Sequence, residues 1–167
     1  NNNALGNAWF VSDLKRVKDG DSEIIALSDS SLNLRSTAVV HNDFTAIKNI
    51  ENPDLGAVIK MVKYRANAIS YTSSSKTRQY AIFSEIYYPK GWNCYINGKL
   101  TSNFRANYIL RGVTVPAGDN DIEWRFEPST YVTSKTISSG ASLVLLLMCA
   151  FIFGRALKKD LKHVEVV

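Results

Sequence analysis

From Thr136 to Gly154 the sequence carries no charged side chain, and that run constrains the chain more than any other feature. As a helix, residues 137–154 would span roughly 27 Å at about 1.5 Å per residue. That is close to the hydrocarbon thickness of a bilayer, about 30 Å. Arg155, Lys158, Lys159 and Lys162 follow directly, whereas only Lys135 flanks the other end. Basic residues concentrate on the cytoplasmic side of membrane helices. The pattern predicts a transmembrane helix over 137–154, a basic cytoplasmic tail over 155–167 and an extracytoplasmic region over 1–136. A buried helix of a soluble core is the competing reading, and the basic cluster argues against it. Tyr131 suits the outer interface, and Phe151 and Phe153 lie near the inner one.

The apolar run has small residues at helical spacing, Ser138 with Ser142 and Ala150 with Gly154. Such faces let helices approach closely, which a solitary anchor does not need. The helix is therefore expected to pack against other spans of the same protein. The chain starts Asn1-Asn2-Asn3, without a signal peptide. An extracytoplasmic region needs something to carry it across the membrane, so upstream transmembrane segments are expected before residue 1. The implied topology is multi-pass.

Net charge is +5 over 167 residues. The basic residues are scattered and part of the excess is the tail, so no nucleic-acid partner is expected. Cys94 and Cys149 are the only cysteines, and Cys149 lies inside the apolar run. Neither a disulfide framework nor a cysteine zinc site follows.

The region before the membrane run reads as mainly β: a β-sandwich of jelly-roll or carbohydrate-binding-module type, with a small α/β N-terminal part. Residues 1–55 are that mixed part. Ala8 to Val11 and Thr37 to His41 are short strands, and Asp21 is positioned to cap a helix through Leu27. Residues 56–128 are the sandwich. Strands are predicted at Val58 to Tyr64, Ala68 to Ser73, Tyr80 to Tyr88 and Asn93 to Ile96. Others are predicted at Lys99 to Ser102, Ala106 to Val115 and Asp121 to Glu127. Asn97-Gly98 is a type I′ hairpin signal. Ile122, Trp124 and Phe126 fall on one face of the last strand. Turn signals about every ten residues suit a sandwich. Residues 129–136 read as a linker, short enough to keep the domain near the bilayer.

Catalytic motifs are scarce. His41 and His163, the only histidines, are expected on opposite sides of the membrane, so they cannot share a metal. There is no G-x-S-x-G elbow, phosphate loop or zinc motif, and no cofactor is implied. Glu123 and Glu127 share a strand face, but the usual meaning of such a pair is a solvated surface, not glycoside hydrolysis. The densest unusual segment is Glu85-Ile-Tyr-Tyr-Pro-Lys-Gly-Trp92. Tyr87, Tyr88 and Trp92 around its turn could stack on sugar rings, with Glu85, Arg105 and Arg111 bonding hydroxyls or phosphate. The alternative, that the aromatics fill the core and brace the turn, is the favoured one. Glu85 falls in an apolar strand, so it either faces solvent or pairs with an arginine.

Several segments together carry a resemblance: Asn3-Ala-Leu-Gly-Asn-Ala-Trp-Phe-Val11, Phe83-Ser-Glu-Ile-Tyr-Tyr-Pro-Lys-Gly-Trp92, Tyr95-Ile-Asn-Gly-Lys99, Phe104-Arg-Ala-Asn-Tyr-Ile-Leu-Arg111, Val115-Pro-Ala-Gly118 and Glu123-Trp-Arg-Phe-Glu-Pro128. In this order they resemble the C-terminal end of bacterial YfhO-family membrane proteins, especially those of Bacteroidetes, over nearly the whole chain. The pattern often has Pro where Ala66 stands here. The resemblance implies a multi-spanning protein similar to GT-C glycosyltransferases, which take sugars from polyprenyl-phosphate carriers on the extracytoplasmic side. Partners would be the membrane, the upstream helices and an envelope glycan or lipid-linked sugar. The acidic catalytic residues of that class lie in early loops outside this chain, so no catalytic residue is assigned. The expected role is an accessory or acceptor-binding module. The alternatives are a structural or glycan-binding module and a permease-like component.

Overall fold

A computed structural model describes residues 4–44, 50 and 52–164. The N-terminal asparagines, residues 45–49 within the expected α/β part and residues 165–167 at the end of the expected tail lie outside the described residues. The chain divides into two compact units, Asn1–Phe126 and Glu127–Val167.

The first unit is a β-sandwich. One sheet has six strands in the order β1-β6-β10-β9-β3-β2 and the other five in the order β4-β5-β11-β7-β8. Their ranges are β1 Ala8–Val11, β2 Asp13–Val17, β3 Thr37–His41, β4 Val58–Arg65, β5 Ala68–Ser75 and β6 Gln79–Ile86. The rest are β7 Trp92–Ile96, β8 Lys99–Thr101, β9 Asn103–Ala106, β10 Leu110–Val115 and β11 Gly118–Phe126. Pairing is antiparallel except between β2 and β3, which run parallel. Helix α1, Gly20–Ser28, connects those two, as a parallel pair requires a crossover. Three strands from the first 55 residues thus belong to the six-stranded sheet, and the sandwich begins at β1, not at residue 56.

Two apolar clusters hold this unit together. Ile69, Tyr71, Cys94, Ile122 and Trp124 of the five-stranded sheet meet Ala81, Phe83, Val113 and Val115 of the other. On the opposite face, the six-stranded sheet curls so that Trp9 and Val11 pack with Ala38, Val40, Tyr80, Ile82, Phe104 and Ala106. Alternation along β6 sends Ala81 and Phe83 to one cluster and Tyr80 and Ile82 to the other. That strand is consequently buried on both faces from Gln79 to Phe83.

Local differences from the sequence expectations have identifiable causes. Asp19, not Asp21, caps α1, accepting from the Ser22 amide at 2.8 Å; Asp21 sits in the first turn. The expected continuous strand 106–115 is two strands, β9 and β10. Asn107 and Tyr108 between them have φ of 47° and 71°. The Asn107 side chain accepts from the Val39 amide at 2.8 Å, and its own amide donates to the Val39 carbonyl. This turn is fixed by a strand 68 residues away in sequence. The Asn97-Gly98 turn has φ of 51° and 76°, as a type I′ hairpin needs.

The second unit is one helix, α2, Ser129–Val164. It begins inside the stretch expected as a linker, because nothing between Ser129 and Thr136 breaks a helix. Glu127 and Pro128 alone separate it from β11. Residues Ser134–Ile152 have a mean hydropathy of 1.8 and none of that window is buried within the chain. Among the described residues this is the one helix long and apolar enough to cross a membrane.

Candidate functional site

The six residues singled out from the sequence do not form one surface. β6 and β10 lose register beside Arg111: Arg111 opposes Phe83, while Leu110 opposes Ile86. A bulge of this kind bends a strand and re-aims its side chains. Here it brings the Ile86 carbonyl to the Arg111 Nε, which donates to it at 2.8 Å. Arg111 is only 3% exposed. Its guanidinium lies 4.2 Å from the centre of the Trp92 ring and 5.1 Å from that of Trp124. Stacking on an aromatic face suits a weakly hydrated, planar cation. Burial pulls the Arg111 pKa down, and the Glu85 carboxylate pushes it back up. Glu85 is half-buried, and its charge acts on Arg111 through space.

Trp92 is therefore not an open platform. Arg111 occupies one side of it, and Phe126 packs at 5.3 Å between centroids with a tilt of 51°. The turn before it is closed by the Gly91 and Trp92 amides donating to the Tyr88 carbonyl. Gly91 is required there, since a Cβ would run into Phe126 and Tyr88. Tyr87 points elsewhere, edge-on to Phe44 at 6.3 Å, and burial raises its phenol pKa. Tyr88 is the member of the trio that stays well exposed, at 49%.

Arg105 is committed to α1. Its Nη2 lies 2.7 Å from Glu23 Oε2, and Glu23 is fully buried. Tyr108 flanks the same guanidinium, 5.6 Å from ring centre to Cζ. Glu23 escaped the sequence reading because a glutamate in a helix's first turn is explained by the helix dipole alone. Its partner is 82 residues away. Tyr71, Phe126 and Trp124 likewise join the Arg111 surroundings through tertiary packing only. Burial pushes the Tyr71 phenol up to about 12, with Glu85 adding to the effect. The Tyr71 hydroxyl, the Trp124 indole N–H and the Arg111 Nη1 are buried without a hydrogen-bond partner.

The remaining chemistry candidates are also engaged. Glu123 is 2.6 Å from Arg125, whose guanidinium covers the Tyr95 ring at 4.4 Å. His41 Nδ1 lies 3.0 Å from Asp43. A cavity of about 560 Å³ between β1 and residues 53–59 is lined by Arg35, Asp54 and Gln79 among apolar groups. Among the described residues no three His, Cys, Asp or Glu side chains are grouped to hold a metal. The arrangement is that of a braced scaffold, with inward-turned cations and one half-exposed tyrosine at its turn.

Residues 4–138 match the family profile described as bacterial membrane protein YfhO. The chain is also similar to the Bacillus subtilis (strain 168) protein called "Uncharacterized protein YfhO", with 29% identity over 140 residues. That alignment covers 84% of this chain and 16% of the relative, so the chain corresponds to a small part of the relative's length. No solved structure matches.

Proposed function

The chain belongs to the YfhO family of bacterial membrane proteins, and on that premise we propose that it is the last span and terminal extracytoplasmic domain of a multi-pass, polyprenyl-phosphate-sugar-dependent glycosyltransferase of the cell envelope. The domain is an accessory part that helps hold a glycan or polymer acceptor, and the catalytic residues lie elsewhere in the protein. One observation carries the accessory reading. The charged groups best placed for chemistry, Arg105, Arg111 and Glu123, are each spent on an internal partner. The uncharged run 136–154 within α2, with four basic residues directly after it, supports the topology, with 1–136 outside and 155–167 inside.

The full-length membrane protein should transfer label from a polyprenyl-phosphate sugar to envelope polymer, while the 167-residue chain alone should not. Transfer by this chain alone would overturn the accessory role, and none by the intact protein would overturn the transferase. A second reading, a brace with no sugar contact, is favoured by the covering of Trp92. Tyr88→Ala in the full-length protein separates the two. The acceptor role expects a KM for acceptor raised severalfold with kcat little changed; the brace expects neither to move.

A further inference from the structure

The two ends of the sandwich differ in kind. At the end where β11 finishes, the β4–β5, β6–β7 and β9–β10 connections come together with Phe126. Tyr64, Ile86, Tyr88, Tyr108, Ile109 and Phe126 are all exposed there. Arg65 and Lys90 stand exposed on the same connections. The turns at the other end, 76–78, 97–98 and 116–117, contribute no exposed large apolar side chain themselves; Leu100 beside the 97–98 turn, and Leu55 and Val58 leading into β4, are exposed separately. Water gives no reason to gather six large apolar groups on adjacent loop tips, and patches of this sort mark an interaction surface.

Covalent connectivity says which partner lies within reach. Three residue steps separate Phe126 from Ser129, at most about 11 Å of extended chain. Five helical steps then lead to Ser134, where the apolar window opens, adding about 7.5 Å. Phe126 is thus bound within roughly 18 Å of the hydrocarbon edge, and the interfacial layer outside that edge is about 5–8 Å deep. Tyrosine with apolar neighbours is the composition that settles at headgroup level, and arginine and lysine beside it suit lipid phosphates.

We propose that this end of the sandwich is a lipid-contacting surface: the tips carrying Tyr64, Ile86, Tyr88, Tyr108, Ile109 and Phe126 enter the headgroup layer of the leaflet from which α2 descends, with Arg65 and Lys90 on phosphates. The inference rests on α2 being a membrane span. It also gives the Arg111 stack a place, directly behind the inserted tips, where Trp92 and Phe126 join interior to surface.

The test uses the 167-residue chain with Cys149→Ser, in nanodiscs of phosphatidylethanolamine and phosphatidylglycerol. Nitroxide labels go at Tyr88→Cys, Ala117→Cys and Leu145→Cys, one at a time. Collision with lipid-soluble oxygen and with a water-soluble nickel chelate reports depth. The label at 145 should meet oxygen and exclude nickel. The label at 88 should gain oxygen collision and lose nickel collision relative to the label at 117, at headgroup depth. If 145 reads deep while 88 behaves like 117, the lipid surface is refuted and the span stands. A label at 88 shielded from both reagents points to protein cover and equally refutes it. A water-exposed 145 removes the span itself, and the proposal with it.

Discussion

Arg105 and Arg111 stand directly opposite each other in the β9–β10 ladder, and directly opposed residues share a sheet face. From that shared position they meet different layers. Arg105 reaches a helix and pairs with the fully buried carboxylate of Glu23. Arg111 faces the second sheet and lies between two indole rings, with one backbone carbonyl as acceptor and Glu85 acting through space. The first is a pair in which each ion needs the other. The second is a cation held by polarisable surfaces, whose removal strands no charge at contact distance. Two guanidiniums in one ladder thus carry different liabilities, set by what covers each.

The largest expected effect breaks the Arg105 side. Arg105→Ala leaves the Glu23 carboxylate buried without its counter-ion, a loss of about 3–5 kcal/mol. Denaturant unfolding of the 167-residue chain in detergent, followed by tryptophan fluorescence, measures it. Adding Glu23→Gln should recover most of the loss, because the stranded charge is then gone. Failure of that rescue would mean that Arg105 acts through packing alone.

On the other side, Arg111→Ala should cost about 2 kcal/mol in the same assay, the order of two partly desolvated cation–ring contacts. Arg111→Met, which refills the slot between the rings, should recover about half of it. Glu23→Gln should give no rescue here. If Arg111→Met proved as damaging as Arg105→Ala, the two arginines would have to be described alike, with Glu85 as a necessary counter-ion.

The smallest effect concerns the Arg111 side only. The Tyr71 hydroxyl is buried without a partner, so Tyr71→Phe should be neutral or stabilise by about 1 kcal/mol. The same substitution should alter the alkaline limb. The Tyr71 phenol titrates near 10.0 when exposed and is pushed up to about 12 in the fold. Its neutral form is the one the fold prefers, so this contribution is complete below pH 10.0 and disappears as pH rises towards 12. The Cys94 thiol behaves likewise, from 9.0 up to about 12. Unfolding midpoints across this range should fall with pH in the parent and fall less in Tyr71→Phe. An unchanged slope would place the alkaline sensitivity elsewhere.

Features encoded within a few residues were legible in the sequence. The Asn97-Gly98 hairpin, the alternation that buries Ile122 and Trp124, and the uncharged run of α2 all follow from local pattern. Features decided by distant partners were not. β2 has only a weak alternation in Asp-Leu-Lys-Arg-Val and exists as a strand because β3 lies parallel to it. The break between β9 and β10 depends on Asn107 imitating a strand neighbour for Val39. Asn107 was the one available hint, since asparagine tolerates positive φ. The site suffered most from this limit. Tyr87, Tyr88 and Trp92 are neighbours in the sequence, which left a sugar platform and the favoured bracing role both open; the contacts of Tyr87 with Phe44 and of Trp92 with Arg111 and Phe126 come from tertiary packing. The sequence left Glu85 between solvent and an arginine partner, because Arg111 is brought near it only by the pairing of β6 with β10.

The position of β11 in the five-stranded sheet has a consequence for biosynthesis. It is the middle strand, between β5 and β7, yet it is the last strand made. At about 5–20 residues per second, the 30 residues between Ile96 and Phe126 take a few seconds. Throughout that interval the edges of β5 and β7 that β11 will occupy present unpaired backbone groups, the state most open to mispairing. The gap closes only as the segment abutting α2 is produced, so completion of the domain is timed to arrival of the apolar helix.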